Sequence, residues 1–216
     1  MHDEVVKHHG KIIQVVERPA LNDQGEHLFT MEIARRAPGV RLILVDWKAG
    51  SLSMSREFRY EADAFELRLP GGKVFDRLDS YLATLGEHGQ VPIGDILTAA
   101  SKEAEEEMGI SLDPADFEIW GRDLCGATVE WDLYVLYADV STANRGEQDL
   151  EVGENISVVD ISFADLISAM LSLDMKMESR TYMHILRFLV RHRESVQPGP
   201  VRQWLEAGVA LGGEGE

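Results

Sequence analysis

The pattern of hydrophobic and polar residues predicts a chain that contains both strands and helices. Residues 11–18 and 27–36 have strand character on either side of the polar turn 22–26, which predicts a β-hairpin. Residues 40–47 are almost continuously apolar, as in a strand that is buried on both faces. The remaining predicted strands are 52–60, 117–121, 129–139 and 156–161. The predicted helices are 95–108, 163–173 and 179–192.

The order of these elements predicts an α/β fold in which helices cover a mixed sheet. The hairpin precedes the main run of strands and helices. We therefore divide the chain into an N-terminal strand region (1–38), a main domain (39–196) and a C-terminal tail (197–216). Residues 1–10 are polar and are expected to be a frayed end.

The segment 102–110 (KEAEEEMGI) carries the most informative pattern in the chain. Glu103, Glu106 and Glu107 occupy positions i, i+3 and i+4, which share one face of an α-helix. Neighbouring carboxylates repel one another unless a cation lies among them, and Mg²⁺ prefers oxygen ligands of this kind while it also binds phosphates. The alternative is a solvated acidic helix, the ordinary form of such a charge run.

A second motif lies upstream, where an apolar strand ends in a turn that contains Pro70, Gly71 and Gly72. The turn and the acidic segment together resemble the Nudix box, in which a glycine precedes the pattern R-E-U-x-E-E-x-G-U, with U a bulky aliphatic residue. Gly72 matches the opening glycine, and Lys102 stands in the arginine position. The chain therefore resembles the Nudix hydrolase superfamily. The resemblance implies an α/β/α sandwich with a mixed sheet, here with an N-terminal β-hairpin extension.

Three features depart from the box. Lys102 lies 30 positions after Gly72, which exceeds the family spacing, so an insertion falls within residues 75–93. We expect this insertion to be a surface excursion near the substrate mouth, with one helical turn. Leu78 stands where the ungapped pattern has its first glutamate, and Asp95 is the candidate replacement. Lysine in place of arginine exchanges a planar fork for a point charge.

Within the superfamily, the chain resembles the ADP-ribose and nucleotide-sugar pyrophosphatases. The strand segment 55–60 (SREFRY) and the acidic loop segment 151–158 (EVGENISV) carry this finer resemblance. It implies hydrolysis of a nucleoside diphosphate linked to a sugar or ribose, with Mg²⁺ or Mn²⁺ as the cofactor. It also implies a homodimer that the N-terminal strands help to form.

The carboxylates receive roles from the resemblance and from the chemistry of diphosphate hydrolysis. Glu103, Glu106 and Glu107 are the candidate metal ligands, and Glu106 alternatively holds a metal-bound water. One carboxylate must take the proton of the attacking water. The resemblance places this base in the late acidic loop, where Glu154 matches best and Glu151 is the alternative. Both could instead be solvated loop residues.

The substrate-binding candidates are two glycines and two arginines. Gly71 and Gly72 lack a Cβ, which lets the backbone approach a metal or substrate closely. Arg56 and Arg59 could bind the terminal phosphate or the ribose, or could form surface salt bridges. Because they are three positions apart on a strand, we expect only one of them to face the site. Trp131 could stack on a base or belong to the core.

Composition narrows the class of protein. The chain has 38 acidic and 21 basic residues and a net charge of −17, which argues against nonspecific binding to nucleic acid or to an anionic membrane. Cys125 is the only cysteine, so no intrachain disulfide can form and a reducing compartment is expected. Residues 1–10 lack the apolar core of a signal peptide, and no stretch approaches the about 20 apolar residues of a membrane span. We expect a cytoplasmic enzyme.

Two functions of different class follow from the sequence. The first is a divalent-metal-dependent ADP-ribose or nucleotide-sugar pyrophosphatase. The second is a catalytically weak Nudix-fold protein that binds a nucleotide as a sensor, which the departures from the box motivate. The three carboxylates of 103–107 favour the first, because a pure binding module has no need for repelling charges. Mg²⁺-dependent release of a nucleoside monophosphate would separate the two.

Overall fold

The computed structural model describes residues 4–124, 126, 128–172 and 176–211, which form a mixed α/β fold. The α/β class predicted from the sequence is confirmed. The strands are β1 (Val5–His9), β2 (Ile13–Leu21), β3 (His27–Arg36), β4 (Gly39–Asp46), β5 (Ser51–Arg59), β6 (Ala64–Arg68), β7 (Ile110–Ser111), β8 (Glu118–Leu124), β9 (Val129–Glu130), β10 (Asp132–Asp139), β11 (Asn144–Arg145) and β12 (Ile156–Ser162). The helices are α1 (Leu78–His88), α2 (Ile93–Met108), α3 (Phe163–Ser172), α4 (Ser179–Arg191) and α5 (Pro200–Leu211).

The main sheet has the strand order β12-β5-β4-β10-β8, and β6 pairs with β5 at its far end. The β4–β10 pair is parallel and the other pairs are antiparallel, so the sheet is mixed. The apolar run predicted at 40–47 forms β4 in the middle of this sheet. A central strand that is covered on both faces needs apolar residues at nearly every position.

Two hydrophobic clusters lie on the two faces of this sheet. Val40, Leu42 and Leu44 point into a cluster with residues of α2. Ile43 and Val45, which alternate with them, point into a cluster that contains residues of α3, α4 and α5. Alternate residues of a strand face opposite sides, so β4 connects both halves of the core. Helix α2 is thereby fixed to one face of the sheet, and its position determines where the acidic segment lies.

The N-terminal region forms a second sheet in the order β1-β2-β3-β9. The predicted hairpin is confirmed as β2 and β3, and the side chain of Asn22 closes its turn by accepting the N–H groups of Gln24 and Glu26. The expected frayed end is wrong for residues 5–9, which pair with β2 as β1. Every residue of β1 is exposed, so the strand lacks the apolar face that would have revealed it in the sequence.

The insertion and the C-terminal segment contain helices that the sequence analysis missed. The expected single helical turn within 75–93 is the longer helix α1, which ends at Gly89 in a left-handed conformation. Its first N–H, at Leu78, donates to the carbonyl of Lys11 in the N-terminal sheet. Residues 200–211, assigned to a C-terminal tail, form α5, and Leu205 is fully buried in the core.

Cys125 and residues 212–216 lie outside the described residues. Among the helices of the described ranges, none is long and apolar enough to cross a membrane.

Candidate functional site

A cleft of about 430 Å³ lies where the glycine turn, α2, β5 and the loop before β12 meet. It brings together most of the residues predicted from the sequence, although they are far apart along the chain. Its acidic residues from the two predicted segments are Glu103, Glu106, Glu107, Glu151 and Glu154. Its basic residues are Arg36, Arg41, Arg59, Arg68 and Lys73. Gly71 and Gly72 also line it.

The glycine turn is fixed to the central strand. The N–H of Leu42 donates to the carbonyl of Pro70 at 2.9 Å, and the N–H of Val40 donates to the carbonyl of Gly72 at 3.0 Å. Gly71 has φ +135°, and a Cβ there would lie 2.4 Å from the Val40 carbonyl oxygen. Only glycine fits a backbone that passes this close to its neighbour.

The turn also binds the acidic helix. The N–H of Gly71 donates to Oε2 of Glu107 at 2.8 Å. A Cβ on Gly72 would lie 2.2 Å from Oε1 of Glu103, so the absence of a side chain at 72 makes room for this carboxylate. The two halves of the predicted motif therefore meet in space despite the residues inserted between them.

Burial alters the acid–base properties of these carboxylates. Burial, opposed by the charge of Lys102, raises the pKa of Glu103 to about 7. Burial, opposed by the hydrogen bond from Gly71, raises the pKa of Glu107 to about 8. Glu106 differs from them because it forms an i, i+4 ion pair with Lys102 at 3.1 Å. Lys102 thus contacts Glu106, whereas no Lys, Arg or His of the described residues forms an ion pair with Glu103 or Glu107.

The carboxylates fit a divalent cation in type and charge. Glu103 and Glu107 carry carboxylate oxygens, the hard donors that such cations prefer. The negative charge of Glu154 raises the pKa of each, in addition to burial. The space over Gly72, which a Cβ would fill, leaves Glu103 free to approach such an ion. Within the described ranges, no three His, Cys, Asp or Glu side chains already surround one point. The ligands would therefore have to close around the ion when it binds.

The late acidic loop contributes Glu151 and Glu154, which are both exposed. The N–H of Glu151 donates to Oε2 of Glu154 at 2.9 Å, so Glu154 folds back over its own loop. After burial, the charge of Glu154 is among the main causes that raise the pKa of both Glu103 and Glu107. Of the two candidate bases, Glu154 is therefore the one that interacts more strongly with the box carboxylates.

The two predicted arginines have different surroundings. Arg59 lines the cleft and pairs with Glu57 at 2.8 Å and Glu61 at 2.5 Å. The guanidinium of Arg56 instead lies 4.0 Å from the centre of the Phe65 ring and does not line the cleft. This agrees with the expectation that only one of the two would face the site.

Other expectations are corrected by the positions of the residues. Asp95, the candidate replacement for the first box glutamate, is exposed in the first turn of α2 and does not line the cleft. Eight residues of helix, or about 12 Å, separate it from Glu103. The insertion 75–93 contributes no lining residue either. His9 contacts Asp79 at 2.8 Å, and Tyr81 and Leu85 of the insertion pack against the hydrophobic cluster that contains residues of α2.

Several residues of the cleft were not predicted from the sequence. Arg41 is the clearest case, since an arginine within an apolar strand is an anomaly that a sequence can reveal. Burial and the charge of Arg68 lower its pKa to about 10, so it is charged at neutral pH. Arg68 is surrounded by carboxylates and pairs with Glu57 at 3.6 Å and Glu178 at 3.8 Å.

Trp131 forms part of the cleft beside the N-terminal sheet. The guanidinium of Arg36, the last residue of β3, lies 4.3 Å from the centre of its ring. The Nε1 atom of Trp131 is buried and has no hydrogen-bond partner among the described residues. From the sequence, Trp131 could belong to the core or stack on a base. It lies where the core and the cleft meet.

Comparison of the chain with models of known protein families and with curated proteins gives no match.

Proposed function

We propose that this protein is a Nudix-type hydrolase that uses a divalent cation, Mg²⁺ or Mn²⁺, to cleave the diphosphate bond of a nucleoside diphosphate linked to a sugar or ribose. The observation that carries the proposal is the contact between the glycine turn and the acidic helix. Gly71 hydrogen-bonds Glu107, and Gly72 leaves the space that Glu103 occupies. A solvated acidic helix would have no reason to bury Glu107 to 8% exposure against a glycine turn.

The cation would be held by Glu103 and Glu107, with Glu106 as a third ligand or as the group that orients a water. When bound, it would neutralise phosphate charge and acidify the attacking water. Glu103 and Glu107 have raised pKa values without a metal, because each is buried near other anions. A cation between them would favour their charged forms and reverse that shift.

The reaction itself needs a base and a place for the substrate. The water oxygen attacks one phosphorus, the bond from that phosphorus to the bridging oxygen breaks, and Glu154 accepts the proton of the water. The products are a nucleoside monophosphate and a sugar phosphate. Arg59 and the other basic residues of the cleft would balance the phosphate charge outside the metal site.

A nucleotide-binding protein with little activity is the second candidate. It is supported by the lack, in the described ranges, of any three acidic or other ligating side chains that already surround one point. It is also supported by the exposed position of Asp95, the candidate replacement for the first box glutamate, which does not line the cleft.

A substrate panel distinguishes these candidates. ADP-ribose, ADP-glucose, GDP-mannose, UDP-glucose, NADH and nucleoside triphosphates would each be incubated with and without Mg²⁺, and the products identified by mass. We expect Mg²⁺-dependent release of a nucleoside monophosphate from at least one diphosphate-linked compound. Tight binding of a nucleotide without turnover under any metal would instead support the binding protein.

We also propose that the N-terminal sheet forms a homodimer. Leu28 and Phe29 at the start of β3 are 60% and 56% exposed, and Val5 and Val6 of β1 are 54% and 53% exposed. Consecutive residues of a strand face opposite sides, so both faces of this sheet carry exposed apolar side chains, as is typical of a surface that another protein covers. Light scattering should give twice the 24.2 kDa chain mass. The double variant Leu28→Lys, Phe29→Lys should have the mass of one chain.

A further inference from the structure

Arg41 stands out among the residues of the cleft because of the strand that carries it. It belongs to β4, where its neighbours Val40 and Leu42 are fully buried in the core. A charged group within such a strand costs free energy unless something compensates for it. The side chain reaches the cleft beside Gly71, Glu103 and Glu107.

One part of the guanidinium is engaged by the backbone. Nη1 donates to the carbonyl oxygens of Val40, at 3.1 Å, and of Gly71. The carbonyls on either side of Gly71, those of Pro70 and Gly72, accept backbone N–H groups of β4. Three successive carbonyls of the glycine turn are thus bound by the same strand, and the side chain of Arg41 serves the middle one.

Nε and Nη2 of the guanidinium take no part in these two contacts. An arginine has five N–H donors, and the two contacts of Arg41 both use Nη1. No carboxylate of the described residues lies within 4.0 Å of it, whereas Arg59 and Arg68 in the same cleft each pair with at least two glutamates. Arg41 therefore keeps its charge and the donors of Nε and Nη2 for a group that is not part of the described chain.

We propose that Arg41 is a phosphate-binding residue of this cleft: Nη1 holds the glycine turn, and Nε and Nη2 bind an oxyanion of the diphosphate beside Glu103 and Glu107. The inference rests on the proposed function, since the ligand is the diphosphate that the carboxylates would hold through a cation. A guanidinium presents paired donors that match phosphate oxygens, and its anchored Nη1 means that little further ordering is needed when the anion binds.

The alternative is that Arg41 only braces the turn. The two roles differ in their effect on metal binding. A brace positions Gly71 and through it Glu107, so its removal would weaken Mg²⁺ binding. If Arg41 is a phosphate ligand, the backbone hydrogen bonds to the carbonyls of Pro70 and Gly72 keep the turn in place without its side chain. Its removal then takes a cation away from two carboxylates and leaves Mg²⁺ binding unchanged or strengthens it.

The test uses methylenediphosphonate, a diphosphate analogue that cannot be hydrolysed and that carries no base or sugar. Calorimetry would measure its affinity for the protein in Mg²⁺, and separately the affinity of Mg²⁺ alone, for the wild type, Arg41→Met and Arg41→Lys. Arg202→Met is the matched control, because Arg202 pairs with Glu194 and Glu206 on α5 and does not line the cleft.

Arg41→Met should lower the affinity for methylenediphosphonate by about 10- to 100-fold, the range for a lost hydrogen bond to a charged group, while Mg²⁺ alone binds at least as tightly as to the wild type. Arg202→Met should change neither affinity. If Arg41→Met does not fold, Arg41→Lys carries the comparison with an expected loss of about tenfold, because one ammonium cannot serve both the turn and the anion.

Three results would overturn the inference: a wild type that does not bind methylenediphosphonate, variants that bind it like the wild type, or a parallel loss of Mg²⁺ and diphosphonate affinity. Failure of the proposed function is a separate result. If the protein binds the diphosphonate through Arg41 but hydrolyses no compound of the substrate panel, the phosphate site is supported and the proposed hydrolase activity is rejected.

Discussion

Gly72 and Glu103 are in direct contact across the cleft: a Cβ on Gly72 would lie 2.2 Å from Oε1 and 2.7 Å from Oε2 of Glu103. The atoms in the way belong to the end of a flexible side chain. An added methyl group would therefore displace the carboxylate without forcing the backbone to move.

This contact predicts a specific phenotype for Gly72→Ala. The fold should be retained, because Glu103 can rotate away at little cost, but Mg²⁺ affinity should fall about 10- to 100-fold, as when a metal ligand loses its orientation. Calorimetric titration with Mg²⁺ and a melting curve test both parts. Gly86→Ala on α1 is the control, because a Cβ there meets nothing within 4 Å. Wild-type Mg²⁺ affinity in Gly72→Ala would contradict the role of Glu103.

Glu107→Gln should keep the fold and lower turnover by at least about 100-fold, the scale for loss of a catalytic electrostatic group. The amide retains an oxygen that can accept the N–H of Gly71, so the turn stays in place while the charge is lost. Glu105→Gln is the matched control, since Glu105 is exposed on the same helix. Turnover at saturating Mg²⁺ decides the matter, and a wild-type rate in Glu107→Gln would remove this residue from the metal site.

The stability of the metal-free protein should fall as the pH rises. The pKa values of Glu103 and Glu107 in the folded protein are about 7 and about 8, above the value of 4.5 for an unperturbed glutamate. The folded state therefore binds more protons than the unfolded state between these values. The stability contributed by the protonated groups is fully present below pH 4.5 and is lost as the pH rises through 7 and 8.

Melting curves in EDTA and in Mg²⁺, recorded between pH 5 and pH 9, test this linkage. The melting temperature in EDTA should decrease from pH 5 to about pH 8 and level off above it. The increase caused by Mg²⁺ should be larger at high pH, where the carboxylates bind it without first losing a proton. The double variant Glu103→Gln, Glu107→Gln should lack both effects. An equal Mg²⁺ effect at all pH values would argue against a metal bound by these two groups.

Glu154→Gln and Glu151→Gln separate the two candidate bases. We expect Glu154→Gln to lower kcat strongly with little change in KM, the result of losing an interaction made mainly in the transition state. Glu151→Gln should be milder, because Glu154 is the loop carboxylate whose charge is among the main causes of the raised pKa values of Glu103 and Glu107, after burial. The pH dependence of turnover in both variants gives the answer. The reverse ranking would assign the proton transfer to Glu151, and two mild variants would direct attention to Glu103 or Glu106.

Leu78→Ala should reduce the free energy of unfolding by about 2–5 kcal/mol, as for other fully buried leucines, while kcat stays near the wild-type value. Leu78 is 0% exposed and begins α1, whose residues do not line the cleft. Urea denaturation and steady-state kinetics measure the two quantities. Asp79→Asn, at an exposed neighbouring position, should have a much smaller effect on stability. A large loss of kcat would show that the insertion acts on the site.

The elements whose signals are local could be predicted from the sequence. Helix α2 could be predicted because Glu103, Glu106 and Glu107 lie at helical spacing and because a glycine, Gly109, follows it; Gly109 ends the helix with φ +64°. The central strand β4 was evident from its continuous apolar run. The carboxylates of α2 could be grouped on one face for the same reason, since their spacing along the helix defines the face.

Features that depend on distant contacts could not be predicted. Arg41 and Gly71 are 30 residues apart, and only the packing of the turn on β4 brings the guanidinium to its carbonyl. Strand β1 has no buried face, so its pairing with β2 leaves no periodic signal. Helix α5 contributes Leu205 to a core formed mainly by residues far from it in sequence, which a short apolar segment near the C-terminus does not reveal.

The cleft is assembled from two sheets, and this division separates two properties that could change independently. Arg36 reaches it from the N-terminal sheet and Trp131 from the junction between β9 and β10, whereas Glu103 and Glu107 reach it from the helix on the main sheet. Substitutions of Arg36 or Trp131 would reshape that side of the cleft and leave the carboxylates in place; under the proposed function, they would act on the part of the ligand beyond its diphosphate. Changing residues outside the glycine turn and the acidic helix could therefore give variants that share one reaction and differ in the leaving group they prefer.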